Sequence, residues 1–243
     1  MTTPFDAIAA HCRAWRAKAG LRFYYRQEIF DRIVAAMVPG PSLELGAGPG
    51  FFAEYRPGAV MLDIVPGQPG SLCADAHHLP FRDRAFANVV GVDVVHHLAR
   101  PGEALREVAR VLPPSGRVAL VEPWAGPLGQ LFYRYLHHED CQSVPDPWRA
   151  AFASGKDPMD GNAMIPRLLF TATDPQLAAV GLRLQRIEFF GIAAYAATGG
   201  FQRFGLPRWA IAALCGAEAP LPAALRRFAG LRALFVLERT AGP

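Results

Sequence analysis

Residues 43–52 read Leu-Glu-Leu-Gly-Ala-Gly-Pro-Gly-Phe-Phe, a short apolar run that leads into three glycines spaced G-x-G-x-G. This order is typical of a β-strand that enters a tight turn and then a helix. Glycine has no Cβ, so a ligand can approach the backbone of such a turn closely. Dinucleotide-binding loops use G-x-G-x-x-G, and Phe51 stands where their third glycine would be, which argues against a pyrophosphate cradle. The stretch predicts a ligand-binding loop after the first strand of an α/β sheet.

Short apolar segments alternate with helical ones on both sides of this loop. Apolar strands that alternate with helices indicate a parallel sheet covered on both faces, a doubly wound α/β fold. Helices are predicted in the first 40 residues, at Pro101–Val111 and from Asp174 to Val180. Strands are predicted at Ser42–Leu45, Val60–Asp63, Leu72–Ala74, Ala87–Val92, Arg117–Glu122, Leu182–Phe190 and Leu231–Arg239.

The chain is expected to form one domain, 1–243. Helices in 1–40 precede a ligand-binding core at 42–122. Two aromatic-rich inserts, 123–170 and 191–230, interrupt the alternation of strands and helices. Long inserts beside strand ends commonly cover a binding site, so both are interpreted as helical, aromatic lids over a substrate.

Composition excludes several classes of protein. Of 243 residues, 51% are hydrophobic and 19% are charged, which favours a packed globular chain over a disordered one. The net charge is +4, but the arginines are scattered rather than clustered as in most nucleic-acid-binding proteins. The four cysteines lie far apart, without metal-ligand spacing. With no secretory signal in the first six residues, a cytoplasmic location is expected.

Two acids follow the glycine loop at strand ends. Asp63 ends the second strand, where an ionised carboxylate can accept hydrogen bonds from both hydroxyls of a ribose. Asp75 lies just beyond the third strand and can accept from the exocyclic amine of adenine. Open α/β sheets bind ligands at the carboxyl ends of their strands. The loop and the two acids therefore predict a nucleoside site there.

These motifs together resemble a known family. Residues 42–122 are similar to class I S-adenosylmethionine-dependent methyltransferases of the broad, type 11-like group that acts on small molecules. The resemblance rests on Glu44-x-Gly46-x-Gly48-x-Gly50, on Asp63, on Asp75 with Leu79-Pro80-Phe81, on the strand Val89–Leu98, on the turn Leu112–Gly116 and on the strand Arg117–Glu122.

The resemblance implies a Rossmann-like, mostly parallel sheet of seven strands whose last strand is antiparallel. It also implies S-adenosylmethionine as the cofactor, with Glu44 and the glycine loop at the methionine end, Asp63 at the ribose and Asp75 at the adenine. The predicted cofactor-binding residues are Glu44, Gly46, Ala47, Gly48, Gly50, Asp63, Ile64, Asp75, Ala76 and Asp93.

Candidate catalytic residues cluster at the ends of the fourth and fifth strands. His96 and His97 follow the fourth strand, beside the place where the resemblance puts the methyl group, and histidine titrates near neutral pH. Adjacent side chains point in different directions, so one of the two is expected to face the site. Glu122 ends the fifth strand and could face the acceptor, whereas capping of the strand end is the alternative role for the histidines.

Substrate contacts are predicted in the lids and the N-terminal helices, at Tyr24, Trp124, Tyr133, His137 and His138. Aromatic lids exclude water and fit apolar acceptors, so a small hydrophobic metabolite or lipid-like acceptor is expected. No metal site is predicted, because adjacent residues such as His137 and His138 cannot all converge on one ion. Arginines among apolar residues in 191–230 raise the alternative of contact with a membrane surface.

Other functions fit the pattern less well. An RNA methyltransferase and a non-catalytic adenosyl-binding domain are kept as alternatives, although no nucleic-acid partner is expected. A methyltransferase of exocyclic amines would usually carry an Asn/Asp-Pro-Pro-aromatic run where this chain has Asp93-Val94-Val95-His96. A nicotinamide-dependent oxidoreductase is disfavoured by the glycine spacing. The sequence leaves the methylated atom and the oligomeric state open.

Overall fold

Seven strands form one sheet in the computed structural model, which describes residues 4–65, 70–136, 140–150, 160–171 and 175–241. In chain order the strands are β1 (Ser42–Leu45), β2 (Val60–Asp63), β3 (Ser71–Cys73), β4 (Asn88–Val92), β5 (Arg117–Pro123), β6 (Leu182–Phe190) and β7 (Arg232–Arg239). Their spatial order is β3-β2-β1-β4-β5-β7-β6.

The strand directions confirm the predicted fold class. The first five strands pair in parallel, whereas β7 lies antiparallel between β5 and β6. The prediction for the short edge strand β3 was one residue too late, and β4 and β7 each begin one residue later than predicted. Such end-of-element differences are expected, since strand ends depend on the neighbouring strand rather than on local composition.

Helices cover both faces and the carboxyl edge of the sheet. The N-terminal part is helical from Pro4 to Ala17 and from Ala19 to Ala36, with extended backbone at Lys18 and a π-helical segment at Tyr25–Phe30. No helix among the described residues is long and apolar enough to cross a membrane. The α-helices are α1 (Pro4–Ala17), α2 (Ala19–Tyr24), α3 (Asp31–Ala36), α4 (Phe51–Tyr55), α5 (Pro101–Val111), α6 (Pro127–Tyr135), α7 (Ile165–Leu169), α8 (Pro175–Ala179), α9 (Ala193–Thr198), α10 (Arg208–Glu218) and α11 (Ala223–Ala229).

Alternation of side chains along the strands divides the core into two layers. In β5, Val118 and Leu120 face one layer, while Ala119 and Val121 face the other, as the two-residue period of a strand requires. The first layer includes side chains of α5, α7 and α8, and the second includes those of the N-terminal helices, α9 and α10. Both faces of the central strands are thus buried, which explains their continuous apolar sequences.

The two inserts lie at the edge where the parallel strands end. Pro123 at the end of β5 and Phe190 at the end of β6 both pair with Arg232 at the start of β7. The first insert continues from β5 into α6 and α7, and the second runs from β6 through α9, α10 and α11 to β7. Both therefore emerge at the carboxyl edge, beside the glycine loop. Asp174, the predicted start of α8, lies outside the described residues.

Candidate functional site

The glycine loop between β1 and α4 has a left-handed backbone at three positions. Gly46, Gly48 and Gly50 have φ of +61°, +47° and +77°, which side chains with a Cβ rarely adopt. A Cβ on Gly46 would also lie 2.7 Å from a Val94 methyl carbon. A Cβ on Gly48 would meet nothing closer than 4.0 Å. The loop therefore presents bare backbone to an open space at Gly48.

Asp63 holds this loop in place from the end of β2. Its two carboxylate oxygens accept hydrogen bonds from the backbone N–H of Gly48, at 2.7 Å, and of Val65, at 2.8 Å. The residue is buried. Each carboxylate oxygen has a second lone pair, so Asp63 can still accept two further hydrogen bonds, such as those of a diol.

Glu44 points into the same region from β1, and its buried carboxyl is not fully hydrogen-bonded. Its Oε2 is buried without a hydrogen-bond partner. Burial, and then the negative charge of Asp63, raise the pKa of the Glu44 carboxyl to about 8. A buried acid without a partner costs stability, and a ligand that brings a positive charge or an N–H donor would relieve this cost.

Asp75 lies beyond β3 and is oriented by His77. Its Oδ1 accepts from the His77 backbone N–H at 2.9 Å and from the His77 ring Nδ1 at 2.5 Å. The backbone N–H of Arg100 donates to Nε2 of the same ring at 3.2 Å. Because Nε2 is thus an acceptor, the ring proton is on Nδ1. Burial raises the pKa of Asp75, but these hydrogen bonds outweigh it and lower the pKa overall. Asp75 therefore stays ionised and half exposed beside Ala76.

Glu122 and His96 form a fully buried pair. Glu122 Oε1 accepts from the backbone N–H of Val94 at 3.0 Å and of Val95 at 2.7 Å, and Oε2 lies 2.6 Å from His96 Nδ1. Both side chains are at most 1% exposed. Burial opposes ionisation of Glu122, yet its contacts with His96, Val95 and Val94 lower its pKa overall. The pair ties the end of β5 to the turn after β4.

His97 differs from its neighbour, as expected for adjacent side chains. Its ring is half-buried, and Nδ1 donates to the Asp160 carbonyl at 2.9 Å. The His96 and His97 rings are 4.1 Å apart. His97 is thus the more accessible of the two, but a role for either histidine or for Glu122 in catalysis stays a prediction.

Asp93 pairs with a residue that sequence reasoning missed. Its carboxylate lies 2.6 Å from Arg232 Nη1, and Arg232 is only 1% exposed. Burial alone would lower the pKa of Arg232, but Asp93 and then Tyr195 raise it well above its usual value. Asp93 has φ of +56°, so the ion pair holds a strained turn at the end of β4. The signal was an arginine within the apolar run of the last strand.

Asp93, His96 and Glu122 are the one described group whose spacing would suit a metal, with ligand atoms within 4.8 Å of one another. Each of these residues already has a partner within the protein. Asp93 pairs with Arg232, while Glu122 pairs with His96 and two backbone N–H groups. A cation could enter only if these contacts opened, so we assign the cluster to support of the strand ends.

An aromatic cover lies over the start of α4. Trp15 of α1 stacks on Phe51 with ring centroids 4.1 Å apart, and Phe201 of the second insert lies 6.0 Å from Phe51. His11, also missed from the sequence, stacks on Phe201 at 4.1 Å. Burial lowers the pKa of His11, against the opposing charge of Asp93. The N-terminal helix and the second insert therefore meet above the glycine loop.

The predicted substrate-binding aromatics are buried. Trp124 Nε1 donates to the Arg227 carbonyl at 2.8 Å, and Tyr133 OH donates to the Leu231 carbonyl at 2.5 Å. Tyr24 is buried as well, and its hydroxyl lacks a hydrogen-bond partner. Trp124 and Tyr133 therefore help to fix the first insert to the end of the second, and acceptor contact by the three aromatics stays a prediction. His137 and His138 lie outside the described residues.

The residues fit the cofactor that the resemblance implies. The unpartnered Glu44 oxygen suits a cationic amino group, and the open backbone at Gly48 suits a close approach. Asp63 retains lone pairs for a diol. The Ile64 side chain, which follows Asp63, is exposed and could pack on a flat base. Cofactor contacts by these residues, and by Gly46, Ala47, Gly50, Asp75, Ala76 and Asp93, stay predictions.

Comparison with known proteins agrees with this geometry. Residues 43–120 match the family model of the methyltransferase domain. The chain is 33% identical over 86 residues to the probable tRNA methyltransferase 9B of Bos taurus, covering 34% of this chain and 17% of that protein. It is 29% identical over 128 residues to the biotin biosynthesis bifunctional protein BioHC of Cellvibrio japonicus, covering 46% and 26%. The chain thus spans about a quarter or less of these relatives.

Solved structures share the fold over nearly the whole chain. A SAM-dependent methyltransferase from Thermotoga maritima has a TM-score of 0.58 at 14% identity, covering 98% of this chain and 99% of the other. A SAM-dependent methyltransferase from Archaeoglobus fulgidus has a TM-score of 0.54 at 17% identity, covering 90% and 94%. A methyltransferase bound to the Haloferax volcanii Trm112 activator has a TM-score of 0.56 at 18% identity, covering 98% and 97%.

The span matched by the family model contains the glycine loop and both acids that follow it. The seven-stranded order with an antiparallel β7 extends the likeness to the rest of the chain. The family's cofactor is S-adenosylmethionine. On these grounds residues 43–120 belong to a methyltransferase domain, and the chain shares the fold of solved S-adenosylmethionine-dependent methyltransferases.

Proposed function

We propose that this protein transfers the methyl group of S-adenosylmethionine to a small, hydrophobic acceptor. The observation that carries the proposal is the aromatic cover formed by Trp15, Phe51 and Phe201 above the glycine loop. An apolar cover excludes water and favours acceptors that leave water readily. Oxygen, nitrogen and carbon acceptors all remain compatible with this geometry.

The residues below the cover have complementary tasks in the proposal. Glu44 neutralises the amino group of the cofactor, Asp63 binds the ribose, and Asp75 binds the adenine. When bound, S-adenosylmethionine supplies a methyl group on a positively charged sulfur. Holding the reacting atoms in line can lower a barrier by about 7–11 kcal/mol, so positioning by these residues supports the chemistry without a metal.

A base is required only if the acceptor arrives protonated. His97 is a candidate because its ring is half-buried at the end of β4. His11 is a second candidate, since its ring stacks on Phe201 of the cover, and burial lowers its pKa and so favours the neutral form. His96 and Glu122 act in this proposal as positioning residues, because both are buried against one another.

The named relatives do not decide the acceptor. The likeness to the probable tRNA methyltransferase 9B covers 34% of this chain. The family match spans 43–120, the part assigned here to the cofactor. The inserts that would contact an acceptor lie after this span. An RNA acceptor is therefore an outcome to test rather than a second proposal.

Activity with a panel of acceptors tests the proposed substrate class. With S-adenosylmethionine labelled in its methyl group, we expect label in apolar phenols or carboxylic acids and none in unmodified transfer RNA. The Asp63→Ala variant measures cofactor-independent background. Turnover of transfer RNA alone, or of small polar amines without any apolar acceptor, would contradict the proposal.

The raised pKa of Glu44 predicts proton release on cofactor binding. Below pH 8 the carboxyl is mostly protonated in the free protein, because its pKa is raised to about 8. A cationic amino group beside it favours the ionised form, so binding expels a proton and tightens as the pH rises towards 8. Calorimetry in two buffers of different ionisation enthalpy measures this proton.

The Glu44→Gln variant is the matched control for the proton-release experiment. It keeps the shape of the side chain but cannot ionise, so its binding should release fewer protons and depend less on pH. Equal proton release by the parent and the variant would show that the proton comes from the ligand's own amino group and would contradict the assignment of Glu44.

A further inference from the structure

Exposed apolar side chains are concentrated in the two inserts. Of the large apolar side chains among the described residues, eight are more than half exposed, and six of them belong to the two inserts. These six define the apolar rim: Leu131, Tyr135, Leu136, Phe204, Trp209 and Phe228. Both inserts leave the sheet at its carboxyl edge, where β5 and β6 end and β7 begins.

Two of the helices that carry rim residues, α6 and α11, contact one another. Leu131 lies on α6 and Phe228 on α11, at positions left exposed by the packing of each helix on the protein. The Trp124 side chain, which precedes α6, donates to the Arg227 carbonyl of α11 at 2.8 Å. Tyr133 of α6 likewise donates to Leu231, next to α11. The two helices are therefore fixed side by side, with apolar residues outward.

The charge of the second insert, which supplies half of the rim, is mostly positive. Residues 191–230 contain four arginines and one acid, Glu218. Both carboxylate oxygens of Glu218 accept backbone N–H groups at the start of α9, from Ile192 at 2.9 Å and Ala194 at 2.7 Å. Glu218 is therefore already hydrogen-bonded within the protein. In α6 the one charged residue is Arg134, which is exposed beside the leucines.

We propose that the apolar rim and its arginines bind the surface of an anionic lipid bilayer. Apolar side chains enter the boundary between headgroups and acyl chains, and arginines pair with lipid phosphates in a bidentate manner. This docking would place the carboxyl edge of the sheet, with the glycine loop, towards the lipid. Docking through the apolar rim does not depend on the acceptor proposed above.

The chemistry of the rim disfavours other partners. In a two-fold dimer through this face, the same arginines of two copies would be brought together, and like charges repel. Single-stranded nucleic acid is held by aromatic side chains that stack on bases. Four of the six rim residues carry rings, but the exposed Leu131 and Leu136 cannot stack in this way. Exposed leucines beside the arginines of the second insert favour anionic lipid, and transfer RNA is an outcome of the test.

Trp209 provides a direct measure of docking. It is 75% exposed, whereas the other three tryptophans, Trp15, Trp124 and Trp148, are buried. With vesicles of equal parts phosphatidylcholine and phosphatidylglycerol, we expect co-sedimentation, a blue shift of the emission and protection from acrylamide. Vesicles of phosphatidylcholine alone should give none of these. The Trp209→Phe variant should lose the optical signal while still sedimenting.

Matched variants separate specific docking from general charge attraction. Arg227→Gln should weaken vesicle binding roughly fivefold, the effect of one arginine near an anionic surface, and Phe228→Ser should weaken it as well. Arg106→Gln removes an equally exposed arginine from α5 and should leave binding unchanged. No binding to anionic vesicles, or equal loss with Arg106→Gln, would overturn the proposal. A Trp209 shift caused by transfer RNA or self-association alone would do the same.

Discussion

Replacing Asp63 by alanine is expected to weaken S-adenosylmethionine binding by about 100-fold or more. In the proposed site the carboxylate accepts both ribose hydroxyls, and each hydrogen bond to a charged group contributes about 1.5–3 kcal/mol. The variant also frees the Gly48 N–H that Asp63 accepts at 2.7 Å, so the glycine loop loses its anchor. Calorimetric titration with S-adenosylmethionine and S-adenosylhomocysteine measures both effects on affinity.

Folding must be monitored separately for this variant. The N–H groups of Gly48 and Val65 lose their acceptor, which costs about 1–3 kcal/mol of unfolding free energy for a buried group. Near-ultraviolet circular dichroism shows whether the variant is folded. The control is Asp83→Ala, which removes an exposed acid that pairs with Arg110. The protein with this substitution should bind the cofactor normally. Unchanged affinity in folded Asp63→Ala protein would refute the ribose assignment.

Replacing Glu122 by alanine is expected to lower the free energy of unfolding by about 3–5 kcal/mol, the usual cost of removing one partner of a buried pair. The change leaves His96 buried without its carboxylate and deprives the Val94 and Val95 N–H groups of an acceptor. Urea denaturation followed by circular dichroism measures the loss. Glu103→Ala, which removes an exposed acid paired with Arg100, is the control and should change stability little.

The effect of Glu122 should depend on pH in a defined direction. Its contacts with His96 and two backbone N–H groups lower its pKa below the usual 4.5, in spite of burial. A lowered folded-state pKa contributes stability that is fully present above the unfolded value and is lost as the pH falls through the folded value. The difference between parent and variant should therefore shrink as the pH falls below about 4.5. A difference that grows on acidification would contradict the ionised pair.

Much of the fold could be predicted because it depends on local patterns. The bounds of β1, β2 and β6 agree with the prediction at both ends. For β1 and β6 the flanking proline and glycine residues mark the ends, since such residues interrupt strands. The parallel arrangement followed from the alternation of strands and helices. The bounds of the short edge strand β3 were predicted less accurately, because its residues are partly exposed and their hydrophobic pattern is weak.

The candidate site was predictable in part. Glu44 and Asp63 stand at fixed distances from the glycines in the chain, and the structure brings both beside the loop. Their contact with the cofactor stays a prediction. Arg232 and His11 were missed because their partners, Asp93 and Phe201, lie far away in the chain. No local spacing relates such pairs.

By itself, the sequence determined which segments become strands, where the backbone must turn through glycine, and which acids follow the loop, because propensity, periodicity and backbone sterics act over a few residues. Tertiary structure alone decided which aromatic side chains of the two inserts are buried, as Trp124 is, and which are exposed, as Trp209 is. It also decided that Asp93 is neutralised by Arg232. Burial and charge pairing depend on the packing of segments that are distant in the chain, and local sequence patterns do not specify that packing.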